Sequence, residues 1–420
     1  MTAQYPLQPE KTCPHLGEKF QPFVKPQLDD PYPFYQLARE SEPIFYSSVF
    51  DAYVLTRYDD ILTVLKDPVK FSSANSLKAL NNYSPEVIEV LSQGFPFVSL
   101  ITSDGELHKR LRTPLMKGFA PERLKAMEGF IYAIANRLVD SFIENGSVEI
   151  LSEFAYPLTL ETIFTMYNVP LEKMALVKKC GSSTTWLFSS HSIPEQQIEY
   201  ARDYVELQHV MADLVEQHRV NPSNDFISEV LENSDLNTGE LVSLLCEMVL
   251  AGHKTTANLI GNSLKILLEH PQLWQKICHE RSLIPAVLEE VLRYDTPAPS
   301  MSRITSEEVS LAGMMLPKGS RILMIYASAH HDETHFSNSE MFELERFKDT
   351  TANHIVFGHG MHHCTGSNLA RREARIALEV LTQRLPNLKL RPNQEFARVP
   401  AMLNRGYVSL ELEWGIGHPA

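Results

Sequence analysis

The chain has 420 residues, of which 44% are hydrophobic and 21% charged, enough apolar material for a large buried core. Its 38 lysines and arginines face 52 aspartates and glutamates, and the resulting net charge of −14 argues against nucleic acid as a partner. No apolar run is long enough to span a bilayer and residues 1–26 carry no signal-peptide pattern, so neither a membrane nor export is expected.

The cysteines at 13, 180, 246, 278 and 364 are scattered, the usage of a reducing cytoplasmic compartment. Length alone predicts two or three domains, but no repeat, low-complexity tract or linker divides the chain.

Residues 1–30 read as an extended lead-in, where Cys13-Pro14-His15 has no second half to make a metal site. A short helix is expected over 31–42, with Phe34, Leu37 and Ala38 on one face. Ile44-Phe45-Tyr46 and Tyr53-Val54-Leu55 then predict a hairpin, followed by a helix over 59–66. Residues 75–100 mix apolar side chains with Asn, Ser and Gly, as a buried loop or a loop over a ligand pocket would. A basic helix opens near Ser103, and its four-residue spacing sets His108 and Arg112 on one face, suited to a single anion or to a solvated basic surface.

Residues 122–220 are helical in pattern, with breaks at Asn145-Gly146, Asn168-Val169-Pro170 and Pro194. Trp186-Leu187-Phe188 reads as an apolar loop between helices. The strongest helix follows at 237–269, with Asn237 and Glu240 as a capping pair and His270-Pro271 as its stop. Its centre is Ala251-Gly252-His253-Lys254-Thr255-Thr256. A glycine there costs ~1 kcal/mol relative to alanine, so close approach or function is expected. Thr255 can bond back to the Ala251 carbonyl and open the helix locally. Gly-x-Lys-Thr is not a phosphate loop here, because no upstream glycine completes that pattern.

A helix over 284–294 places Glu290 and Arg293 on one face, the spacing of an ordinary surface pair. The prolines of Thr296-Pro297-Ala298-Pro299-Ser300-Met301 keep that stretch extended. Two strand-like runs occupy 309–324 around turns at Ala312-Gly313 and Pro317-Lys318-Gly319, and His330 and His331 read as structural.

Phe357-Gly358-His359-Gly360-Met361-His362-His363-Cys364-Thr365-Gly366 is the most informative stretch. Its glycines allow sharp turns and close approach, and its cysteine precedes a helix whose N–H groups and dipole favour a thiolate. Arg371, Arg372 and Arg375 follow and add positive charge. A thiolate in such a loop is a soft metal ligand suited to haem iron. Zinc on His359, His362, His363 and Cys364 is the competing reading, disfavoured because adjacent His362 and His363 cannot readily turn to one tetrahedral metal.

This run resembles the cysteine-loop signature of the cytochrome P450 superfamily, Phe-x-x-Gly-x-x-x-Cys-x-Gly. Further motifs follow the family's order: His108-x-x-x-Arg112, Ala251-Gly252-x-x-Thr255, and Glu290-x-x-Arg293 with Arg346 as its partner. The resemblance implies a mainly α fold with a small β-rich side, a single domain over 1–420, and a long central helix crossing over the haem. It implies haem b as cofactor, Cys364 as the iron ligand, and Phe357, His362 and Gly366 as loop residues against the cofactor. His108, Arg112, Arg303 and His354 would hold the propionates, while Ala251, Gly252 and Thr255 would serve oxygen and protons.

A pocket is implied around Phe97, Val98, Trp186, Ala298, Met301, Met402 and Leu403, the last two in a terminal hairpin over 399–407. The activity implied is monooxygenation of a lipophilic small molecule. Electrons would come from a ferredoxin or flavodoxin and its reductase, docking on Lys109, Arg110, Lys117, Arg371, Arg372 and Arg375. One departure stands out. Lys254 occupies the family's acidic position, so it either turns outward or marks altered chemistry of a peroxide-driven, isomerising or cyclising kind. A non-enzymatic haem protein is the remaining alternative.

Overall fold

The computed structural model describes residues 15–77, 83–188, 194–350 and 353–415; Cys13 and Pro14 lie outside them. The chain opens with a short helix α1 (His15–Lys19) and turns where an extended lead-in is expected. Then follow α2 (Tyr32–Ser41), strands β1 (Ile44–Ser47) and β2 (Ala52–Leu55), α3 (Tyr58–Lys66) and β3 (Phe71–Ser72). Within the stretch read as irregular lies α4 (Pro85–Leu91). Ser84 caps it by accepting from the Val87 N–H, and Pro85 supplies the first-turn residue that needs no donor.

Next come α5 (Gly105–Gly118), α6 (Pro121–Phe142), β4 (Ser147–Glu149), α7 (Tyr156–Met166), α8 (Leu171–Leu187), α9 (Pro194–Val220) and α10 (Phe226–Glu232). Trp186 and Leu187 form the last turn of α8 rather than a loop. The longest element is α11 (Thr238–Glu269), 32 residues and so about 48 Å at 1.5 Å per residue. It begins in a complete capping box. The Asn237 side chain accepts from the Glu240 N–H, and the Glu240 carboxylate accepts from the Asn237 N–H, each at 3.0 Å.

The chain continues through α12 (Pro271–His279), α13 (Ile284–Tyr294) and four strands, β5 (Ser300–Thr305), β6 (Val309–Leu311), β7 (Met314–Leu316) and β8 (Arg321–Ile325). Residues 309–324 thus hold three strands, not two, because Ala312-Gly313 turns tightly with both residues at positive φ. After α14 (Tyr326–Ala329) come α15 (Ser367–Arg384), β9 (Lys389–Leu390) and β10 (Glu411–Glu413).

The helices enclose one large apolar cluster, with α11 packed against α7, α8, α9, α13 and α15. To one side a five-stranded sheet runs in the order β1-β2-β8-β5-β3 and carries two smaller clusters. The fold is therefore mainly α with a small β-rich side. The β2–β8 pair is parallel and aligns Tyr53, Val54 and Leu55 with Ile322, Leu323 and Met324.

Glu290 and Arg293 form no surface pair. Both are fully buried and joined by two hydrogen bonds of 2.8 Å. Arg293 also donates to the carbonyls of His330, Ser339 and Met341, and Arg346 reaches Glu290 at 3.1 Å. This network pins the chain after α14 to α13 and so sets the start of the cysteine loop.

Candidate active site

The loop before α15 is built by two glycines at positive φ, Gly358 at 71° and Gly360 at 68°. They fold it so that the Cys364 N–H donates to the Phe357 carbonyl at 2.8 Å, and the His363 N–H to that of Gly360 at 3.1 Å. Arg112 of α5 holds the loop from outside by donating to the His363 carbonyl at 2.5 Å. Cys364 is exposed, yet its thiol pKa is raised by burial. Both hold when the sulfur lines an internal recess: a solvent-sized sphere reaches it, while protein surrounds it on most sides.

The N–H groups of Gly366 and Ser367 and the charges of Arg112 and Arg371 do favour the thiolate, but burial outweighs them. A bound metal cation would supply what is missing. Arg372 and Arg375 add nothing at the sulfur. They are engaged by Glu128 and Glu379, and Arg371 is held by Glu289 at 2.6 and 2.9 Å.

Basic side chains gather beside the loop. His108 and Arg303 are buried, and the His108 ring centroid lies 4.2 Å from that of His362. The His108 Nε2 has no hydrogen-bond partner, and Arg303 donates to the Ser302 carbonyl without forming an ion pair among the described residues. Burial and nearby positive charge, Arg112 and Arg303 at His108 and Arg303 and His108 at His362, depress the pKa of both histidines, that of His362 to about 4. Asp104 is the carboxylate that opposes this charge among the described residues. It is tied to Ser72 and to the N–H groups of Ser73 and Ala74, and lies 3.6 Å from His362, whose Nε2 is also 3.0 Å from the Ser73 hydroxyl.

His354 does not belong to this group. Its Nε2 is 2.9 Å from Glu289 and its side chain is 2% exposed. With that carboxylate on its ring it is a strut between the loop and α13, a bracing role in place of the expected propionate contact. Glu289 was missed in the sequence because its neighbour Glu290 carried the motif; it ties α13 to both His354 and Arg371.

On α11, Thr255 donates to the Ala251 carbonyl at 2.7 Å as expected, but the helix runs on unbroken. Ala251 is exposed although the helix around it is mostly buried, so this face borders open space. The missing side chain of Gly252 points elsewhere: a Cβ there would stand 3.2 Å from Ile163 of α7, which makes packing the reason for glycine.

Lys254 is partly buried against the end of α8. Its ammonium stands 4.0 Å from the Trp186 ring centroid, and burial lowers its pKa to about 8. Phe97 lies against Phe188 at 5.6 Å, Val98, Ala298, Met301 and Leu403 are half-buried, and Trp186 is 42% exposed. Met402 is buried in the cluster formed by Phe20, Phe45 and Ile325, so its side chain is core, not pocket lining. The 399–407 segment does double back, with the Val399 N–H donating to the Gly406 carbonyl at 3.1 Å.

The polypeptide fits a flat, dianionic metal chelate. Gly366 has an ordinary φ of −84°, and a Cβ there would meet nothing within 4 Å, so neither backbone nor packing requires glycine. The space beside it is open to a flat group. The orphaned Nε2 of His108 and the unpaired Arg303 await acceptors, and Cys364 offers a soft donor.

The cytochrome P450 family model matches residues 31–397, and the chain belongs to that family. It is similar to the biotin biosynthesis cytochrome P450 of Bacillus subtilis, 29% identical over 368 residues that cover 86% of this chain and 91% of the relative. The haem domain of a P450 from Tepidiphilus thermophilus superposes with a TM-score of 0.88 at 32% identity, covering 95% of this chain and 97% of that one. Cytochrome P450 CREJ, solved with (4-ethylphenyl) dihydrogen phosphate, superposes with a TM-score of 0.87 at 28% identity, covering 95% and 100%. The protein is thus a P450 monooxygenase, an oxidoreductase that uses haem, a redox partner and a small-molecule substrate. No described helix is long and apolar enough to cross a membrane.

Proposed function

We propose that this protein is a cytoplasmic monooxygenase whose single domain spans 1–420. It holds haem b through Cys364 and inserts one atom of O2 into a lipophilic small molecule of secondary metabolism, by hydroxylation or epoxidation. The observation that carries this is the Cys364 thiol in a recess beside the unpaired His108 and Arg303. When bound, thiolate-ligated haem supplies oxygen activation. The chain supplies the rest. Arg303 and Arg112 would neutralise the propionates and the His108 Nε2 would donate a hydrogen bond to one, with His362 at their side. Phe357 and Gly366 leave room for the flat ring. Thr255, its hydroxyl hydrogen held by the Ala251 carbonyl, presents oxygen lone pairs that would accept a hydrogen bond from a water and hold that proton donor in place. Phe97, Val98, Trp186, Ala298, Met301 and Leu403 present apolar surface to the substrate.

Electrons would come from a ferredoxin or flavodoxin with its reductase. The face formed by α13 and α15 has a groove lined by Pro285, Leu288, Asn368 and the three arginines, flanked by Glu289. Most of the six cations expected to attract an acidic carrier are already paired; Arg110 binds Asp235 and Glu240. Lys109 and Lys117 remain exposed and without an ion pair among the described residues.

The deciding measurement is the spectrum of the reduced protein with carbon monoxide. A strongly red-shifted Soret band, as thiolate ligation requires, and its loss in Cys364→Ala, are expected; a band at the position given by histidine ligation would sink the proposal. A second reading, peroxide-driven, isomerising or cyclising chemistry, draws on Lys254 at the acidic position. Product lacking label from isotopic O2 would favour it.

A further inference from the structure

Two lysines of α11 have ammonium groups over aromatic rings, and the contrast between them is informative. Lys265 lies 4.1 Å from the Phe396 ring centroid and also pairs with Glu269. Lys254 has the ring of Trp186 but no acid: no carboxylate lies within ion-pairing distance among the described residues, and burial alone perturbs it. A cation withdrawn from water without a counter-ion is costly, and one cation–π contact recovers only part of that cost. A partly buried lysine at this place therefore calls for an anion that the described residues do not provide.

Its surroundings say where that anion would come from. Lys254 directly precedes Thr255 and lies within one turn of Ala251, whose exposure marks the open face of α11. Trp186, at the end of α8, is 42% exposed, so the ring that steadies the ammonium is not itself sealed in core. Phe188, two residues further on, meets Phe97 from the segment before α5. An apolar wall with one unneutralised cation is a site for an amphiphile.

We infer that Lys254, steadied by Trp186, anchors a compact anionic group, a carboxylate or a phosphate monoester, on an otherwise lipophilic substrate. This rests on the monooxygenase reading of the same site and narrows its substrate class. The anion would fix one end of the substrate and leave its apolar body to reach towards the Thr255 side, so Lys254 sets both which substrates bind and which carbon is presented. The residue in the family's acidic position is thereby a specificity determinant rather than a damaged proton relay.

The test uses the haem-loaded protein and three probes that differ only in headgroup: dodecanoate, dodecyl phosphate and dodecan-1-ol. Each is titrated while the Soret spin-state shift and the heat of binding are recorded. At least one anion should bind about tenfold or more tightly than the alcohol, as a desolvated charge pair provides. Whichever anion is preferred identifies the headgroup. Lys254→Met should abolish the preference while leaving the affinity for dodecan-1-ol unchanged, and Lys254→Arg should retain it. Trp186→Leu should weaken it severalfold without reversing it.

Equal binding of anion and alcohol, a preference that survives Lys254→Met, or no binding of either anion up to its solubility would each overturn the inference. The carbon monoxide spectrum of the same samples tests the underlying reading separately. A thiolate spectrum without anion preference removes the anchor and leaves the monooxygenase standing.

Discussion

Gly366 illustrates how one atom too many can report on something other than the polypeptide. Its backbone angles suit any residue and a methyl group would enter open space, so Gly366→Ala should leave helical content unchanged in far-ultraviolet circular dichroism. Haem content per chain should nevertheless fall severalfold, because the added methyl would stand in the space assigned to the ring. Normal haem content would show that the glycine has no such neighbour. Thr255 is the complementary case on the other side. Thr255→Ala removes a hydroxyl held at 2.7 Å from the Ala251 carbonyl, without disturbing a helix that already runs unbroken there. Spin-state shifts on ligand binding should persist while product formed per electron falls several-fold, measured as product against NAD(P)H consumed.

Spacing in the sequence made the cysteine loop, the capping box and the Thr255 back-bond legible, because each depends on neighbours close along the chain. His354 was misread for the opposite reason. Its partner Glu289 lies 65 positions earlier and only the packing of α13 brings the two together. The same limit hid the setting of Lys254, since nothing near it in sequence announces Trp186. Met402 was taken for pocket lining because hairpin position was legible and side-chain direction was not.

At the scale of elements, the contrast between buried and exposed charge is sharp enough to test. Glu290 binds Arg293 and Arg346 and accepts from the Glu343 N–H, all out of contact with water or nearly so. Glu290→Ala should lower the free energy of unfolding by about 3–5 kcal/mol, since two guanidinium groups lose their counter-ion. Glu345→Ala, which breaks an exposed pair with Lys276 at 43% exposure on each side, should move the unfolding midpoint little. Urea unfolding midpoints would rank them, and comparable losses would contradict the assigned burial. The Glu-x-x-Arg spacing was visible in the sequence, but its burial was not: three or four residues of separation look the same on a surface helix and a central one.

For the molecule as a whole, acid should be the vulnerable side. His253 is buried against Tyr156 and Thr159, and burial lowers its pKa from 6.5 to about 3. It stays neutral in the fold while the unfolded chain takes up a proton, so stability is complete above about pH 6.5 and is lost as pH falls towards 3. Glu289, held near 2 by Arg371 and His354 despite its burial, adds a loss that begins lower, below about pH 4.5. Glu247 acts the other way. Burial raises it to about 7, although Ser99 and the Leu100 N–H bind its carboxylate, so it withdraws stability as pH rises from 4.5 to 7. His253→Asn should recover about 2 kcal/mol of the stability lost between about pH 6.5 and pH 5. An unchanged acid limb in urea titrations would show that His253 takes up its proton without resistance.

The parallel pairing of β2 with β8 also sets a schedule. About 270 residues separate Leu55 from Arg321, so at ribosomal rates of about 5–20 residues per second the inner edge of β2 waits roughly ten to fifty seconds for its partner. Throughout that interval Val54 and Leu55, fully buried once the chain is finished, sit on an unpaired apolar edge. The hairpin emerges early and matures last. The burden on the cell's folding helpers should therefore be heaviest for nascent chains that have passed β2 and not yet reached β8.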